Sequence, residues 1–142
     1  MAYTHYWQRP VRLLPEAFAR AVADCQRLLP DLGVPLAGAW GTGAAQFGPT
    51  LVMFNGATGF CEAFRIEQVS TGRRHGSTVL EFCKTARLPY DLAVQVALIV
   101  FKHYLGRCFV VASDGQTTAW DNARRICQER LGYGADFQLE RG

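Results

Sequence analysis

The chain has 142 residues, 49% of them hydrophobic and 19% charged, with a formal net charge of +3. That length suits one domain and is too short for two independent cores. The apolar fraction excludes a disordered composition, the mild charge is not that of a strongly basic nucleic-acid-binding domain, and no run of about 20 apolar residues is present to span a membrane.

Residues 1–13 (MAYTHYWQRPVRL) read as an extended arm with exposed aromatics, at the head of one globular domain covering 1–142. Met1–His5 holds no basic stretch followed by an apolar run, so no secretory signal is expected. Pro15 fits the first turn of a helix. Phe18, Val22, Cys25 and Leu29 follow at helical spacing, with Glu16, Arg20, Asp24 and Arg27 opposite, and Pro30 and Gly33 end the helix.

Residues 32–61 carry no charged side chain. Such neutrality reads either as short buried strands between glycine turns, 51–54 among them, or as a surface that meets a partner. Trp40 and Phe47 are its candidate interface aromatics. Phe60, Phe64 and Ile66 alternate within 60–69, a half-buried strand. A polar hairpin at 70–77 leads to a second strand at 78–83, with Leu80 and Phe82 on one face, and the two runs are expected to pair antiparallel.

Between Leu92 and Phe101 only Gln95 is polar. A helix apolar nearly all round is buried, and this one is too short to cross a bilayer, so 92–105 is the central helix, capped by Gly106. The run 108–112 is an apolar strand and Ser113-Asp114-Gly115 a turn. Thr118 and Asp121 form a capping box for a last helix whose stripe is Trp120, Ala123, Cys127 and Leu131. Phe137 and Leu139 fit an added edge strand.

The order predicts an α+β fold: one mixed, mostly antiparallel sheet of about four to five strands, an N-terminal helix, and a β-α-β-α C-terminal unit with a buried central helix. The crossover makes strands 78–83 and 108–112 parallel. Their shared carboxyl edge, an upper pole, gathers Cys83, Lys84, Asp91 and Asp114. These are the candidates for a small active site: a thiol nucleophile, an anion holder and two orienting carboxylates. Caps, a turn and core filling also account for each of them. His103 lies roughly 18 Å along the helix from Asp91, and His75 lies at the far end. No base is therefore at hand unless His5 reaches the pole.

The opposite, lower pole gathers Arg73, Arg74, His75, Lys102, His103 and Arg107, a candidate surface for nucleic acid or an acidic partner. Basic residues at helix C-termini and a hairpin tip also produce such a pole. The five cysteines are widely spaced with no C-x-x-C pair, which reads as a reduced, cytoplasmic protein without disulfides or a zinc site. Gly38-Ala-Trp-Gly41-Thr-Gly43 completes neither a Rossmann nor a P-loop signature, so no cofactor is expected. The leading expectation is a small non-catalytic binding or adaptor protein with a protein partner or self-association. The alternatives are nucleic-acid or acidic-partner binding at the lower pole, and a small enzyme at the upper one.

Overall fold

In a computed structural model of the chain, which describes residues 3–140, the N-terminal segment is a strand at the centre of a sheet. Tyr3, His5, Trp7 and Arg9 alternate with Thr4, Tyr6, Gln8 and Pro10, and the odd-numbered set is buried. This period of two, rich in aromatics, is the pattern of a half-buried strand. β1 (Thr4–Pro10) is thus not an arm, and Tyr3 and Trp7 belong to the core rather than to solvent.

α1 (Pro15–Leu28) begins at the expected proline and buries Phe18, Ala21, Val22, Cys25 and Leu28. Four short strands follow: β2 (Leu36–Ala37), β3 (Gln46–Phe47), β4 (Leu51–Gly56) and β5 (Phe64–Glu67). β4 pairs antiparallel with each of the other three, and these form the second sheet. The strand expected over 60–69 is therefore shorter, and Phe60 is half exposed.

β6 (Arg74–His75), β7 (Thr78–Lys84) and β8 (Val110–Ser113) join β1 in the first sheet, in the order β6-β7-β1-β8. β7 pairs with β1 and β6, not with β5. β1 takes one edge of β7 along its length, and β6 takes the start of the other. β7 and β8 both run antiparallel to β1, so they point the same way, as the crossover requires, but β1 lies between them. The α+β class holds, with the strands divided between two antiparallel sheets instead of one mixed sheet.

α2 (Asp91–Leu105) is buried from Ala93 to Phe101, including Gln95, and packs between α1 and α3 (Asp121–Leu131). Gly106 ends it with φ of 70°, a conformation that favours glycine. The capping box is absent: Thr117–Trp120 forms a 3-10 turn, and no side chain caps α3. The tail adds no strand. Phe137 instead stacks on Trp120 at 5.1 Å, and the Glu140 N–H donates to the Val111 carbonyl, covering the free edge of β8. No described helix is long and apolar enough to cross a membrane.

The two sheets meet at the end of β1. Trp7 packs on Phe64 at 5.3 Å, and the N–H of Leu13 donates to the Gln68 carbonyl. The Arg9 guanidinium, fully buried, donates to the carbonyls of Pro10, Val11, Glu67 and Gln68. It ties the first sheet to the end of β5 in the second.

Candidate functional site

Antiparallel pairing of β1 with both β7 and β8 brings the start of β1 to the upper pole. His5 lies opposite Cys83 on one side and Ser113 on the other. Its imidazole is fully buried, edge-on to Tyr3 at 5.1 Å and to Trp120 at 4.8 Å. Nε2 lies 2.7 Å from Asp91 Oδ1, and Nδ1 lies 2.8 Å from Ser113 Oγ. A carboxylate only accepts, so Nε2 donates to Asp91, and in the tautomer with its single proton on Nε2 the ring offers Nδ1 as an acceptor for the Ser113 hydroxyl.

Asp91 is held in turn. The Thr85 hydroxyl donates to Oδ1, and the Gln95 amide donates to Oδ2 at 3.0 Å. Gln95, the lone polar residue of the central helix, is thereby explained. The Ser113 hydroxyl oxygen also accepts from the Gly115 N–H at 3.0 Å. A side chain at Gly115 would collide with the Tyr3 hydroxyl, so the turn needs glycine there. Beside it, a cleft of about 520 Å³ is lined by Ser113, Gly115, Gln116, Thr117, Leu139 and Glu140, among others. The connection preceding α2 wraps Tyr3, with Ala86 and Arg87 both in the left-handed region. The N–H groups of Thr85 and Ala86 converge on the Tyr3 carbonyl, and the Arg87 guanidinium covers its ring at 3.8 Å.

Of the four residues expected here, Asp91 alone joins this network. Cys83 is fully buried with Sγ 3.4 Å from the Glu62 carbonyl, and burial pushes its thiol well up, with the Glu62 carboxylate adding to it. Such a buried thiol gives little thiolate. Asp114 Oδ2 accepts from the Thr4 N–H at 3.0 Å, and Oδ1 accepts from the Tyr6 hydroxyl at 3.2 Å, pinning the head of β1. Lys84 is the last residue of β7, with its own N–H on the Glu62 carboxylate at 2.8 Å.

The residues expected at the lower pole lie on and beside β6, at the end of α2 and in the turn after it. Lys102 Nζ caps the end of α2, donating to the carbonyls of Gly106 and Phe109. His103 stacks flat on Tyr133 at 3.7 Å, and with Lys102 lines a cavity of about 350 Å³ beside the C-terminal tail. Arg74 and His75 are exposed on the short hairpin strand β6, Arg73 is exposed just before it, and Arg107 is exposed in the 3-10 turn after α2. Phe47 stacks on Phe54 at 6.5 Å and packs on the core, so it is not a free interface aromatic. Trp40 is 81% exposed, beside a Phe60 ring that lies against Gly41.

Native-state thiol labelling reports this burial directly. Cys108, exposed, is expected to react promptly with Ellman's reagent. Cys25, Cys83 and Cys127 are buried and react only on unfolding. Burial pushes Cys127 up to about 12 and raises Cys25 as well. Prompt reaction of three or more thiols in the folded protein contradicts the packing described above.

Two features escaped the sequence reading. The His5–Ser113–Asp91 chain depends on β1 being a central strand, and the alternation from Tyr3 to Arg9 was the signal for it. The second is the outer face of the first sheet. Leu80 and Phe82 share one face of β7, as their spacing predicts, and that face is the outer one, where they are 53% and 58% exposed. Alternation identifies two faces without saying which is covered. Among the described residues, no group of three His, Cys, Asp or Glu side chains is arranged to hold a metal. Comparison with protein-family models, with curated proteins and with solved structures finds no match.

Proposed function

We propose that the chain is an interaction protein that docks a second copy of itself on the outer face of its first sheet. The observation that carries this reading is the exposed apolar row of Leu80 and Phe82 on a central strand, beside Tyr6. Exposed apolar faces of this kind mark interaction surfaces. The sheet edges offer little for pairing: the tail bonds to β8 through the Glu140 N–H, and β6 is two residues long and carries Arg74. The face, rather than an edge, is therefore the contact.

The register favours a second copy. Tyr6 lies between Phe82 and Ala112, and Gln8 lies between Leu80 and Val110. Bulky residues thus stand on β7 and small ones on β8. A two-fold axis in the interface, running along β1, sets β7 of each copy over β8 of the other. Phe82 then meets Ala112 and Leu80 meets Val110. Lys84 ends β7 and Asp114 follows β8 at the same level, so each lysine faces the partner's carboxylate. Sheets packing face to face with residues interdigitated follow this plan, and a two-fold contact must be self-complementary in this way. A nucleic-acid strand on this face would meet Asp114, whose carboxylate holds the Tyr6 hydroxyl.

Sedimentation equilibrium is expected to give twice the 15.8 kDa chain mass at micromolar concentration. Phe82→Glu, on the solvent side of the sheet, is expected to give a folded monomer. A wild-type monomer at ~100 μM, far above the μM dissociation constants that standard-sized interfaces can reach, contradicts the proposal.

A further inference from the structure

We infer that Ser113 is a nucleophile, with His5 as its general base and Asp91 as the group that orients the base, and that the site hydrolyses small acyl esters. The inference is independent of the association proposed above, because Ser113 lies in a cleft at the upper pole and not on the outer face of the sheet.

Three requirements of a hydroxyl nucleophile are met. The hydroxyl lies within hydrogen-bond distance of an imidazole nitrogen. The other ring nitrogen lies 2.7 Å from a carboxylate, which fixes the tautomer and stabilises the imidazolium when it forms. The carboxylate is itself fixed by Thr85 and Gln95, and Trp120 and Tyr3 wall the ring from solvent. The constellation draws on three elements and the connection before α2, so it cannot be seen as a sequence motif. Triads of this kind are identified by geometry rather than by chain order.

The step balances without an added reductant or metal. Ser113 Oγ bonds to the acyl carbon while its proton passes to His5 Nδ1. The ester C–O bond breaks, and the alcohol leaves with that proton. Water then attacks the acyl-serine, giving a proton to Nδ1. Ser113 departs and takes the proton back, releasing the carboxylic acid. Thr117 and Thr118 line the cleft and offer hydroxyl donors for the oxyanion, and the Glu140 carboxylate at the same cleft disfavours anionic substrates. The class that fits is a neutral or cationic ester with a short acyl group.

The test is covalent labelling of the folded wild-type chain with a fluorophosphonate, mapped by peptide mass spectrometry, together with turnover of p-nitrophenyl acetate. The expected result is one phosphonyl group on Ser113 in the folded chain and none in urea. Ser113→Ala is expected to lower turnover by about 100-fold or more, while Ser77→Ala, on the exposed hairpin, leaves it unchanged. A folded wild-type chain that carries no adduct on Ser113, or carries it on another residue, overturns the inference. So does unchanged turnover in a folded Ser113→Ala variant. The wild-type mapping decides the matter even where the variant fails to fold.

Discussion

Arg9→Met is expected to lower the unfolding free energy by about 3–5 kcal/mol, the range for breaking a buried charge network. The Arg9 guanidinium has no exposure, and it donates to four backbone carbonyls on two segments. Glu81 Oε1 stands 3.5 Å from Nη1 and also accepts from the Trp7 indole at 2.8 Å. Burial lowers the Arg9 pKa from its usual value and Glu81 opposes the shift, while arginine stays charged throughout the ordinary pH range. Methionine matches much of the side chain's length and none of its donors. The Glu67 carbonyl loses the Arg9 donor, the Gln68 carbonyl is left with the Leu13 N–H, and Glu81 loses its countercharge. Arg9→Lys is not conservative here, because one ammonium cannot reproduce the planar fork. Urea unfolding followed by tryptophan fluorescence measures the loss. A change below ~1 kcal/mol, the value of one ordinary hydrogen bond, contradicts the role assigned to Arg9.

Asp91→Ala is the second large effect, expected at about 2–4 kcal/mol. The substitution removes the acceptor for His5 Nε2, the Thr85 hydroxyl and the Gln95 amide in one step. His5 and Thr85 are fully buried and Gln95 nearly so, so water does not readily replace what is lost. A carboxylate in the first turn of α2 also offsets the positive end of that helix. Asp114→Ala is expected to cost less, because Asp114 is exposed and serves the Thr4 N–H and the Tyr6 hydroxyl at the border of the sheet. Unfolding curves of the two variants should therefore separate clearly. Equal losses contradict the assignment of Asp91 to a buried hub and Asp114 to a peripheral pin.

The helices were the most legible part of the sequence. Pro15 and the spacing of Phe18, Val22 and Cys25 define α1, and the apolar run from Leu92 to Phe101 has no soluble alternative to a buried helix. The strands were harder, because pairing is non-local. Nothing in 78–83 states whether its neighbour is β5 or β1, and the decision rests on a segment 74 residues away in the Trp7–Glu81 pair. Reading Tyr3–Arg9 as an arm therefore displaced more than one strand. It moved Trp7 out of the core, left Arg9 without a role and kept His5 away from Asp91. The upper pole itself was legible, since a right-handed crossover fixes the direction of β7 and β8 whether or not a third strand lies between them. Its hydrogen-bond network was not, because His5 comes from the opposite end of the chain. The charge-free stretch from 32 to 61 is buried only in part. Val52, Phe54 and Asn55 are buried, while Trp40 stands out in solvent. Asn55 is buried because its amide donates to the carbonyls of Ala39 and Cys61, holding two glycine-rich loops together.

The central claim, that the outer face of the first sheet docks a second copy, is tested most directly by isotope-filtered NOE spectroscopy on a mixture of labelled and unlabelled chains. The register predicts cross-peaks between the Phe82 ring of one protomer and the Ala112 methyl of its partner, and between Leu80 and Val110 methyls. Phe82→Glu should abolish both. Absence of intermolecular cross-peaks from these residues in the wild-type chain at millimolar concentration, or cross-peaks confined to Trp40 and Phe60, contradicts the account.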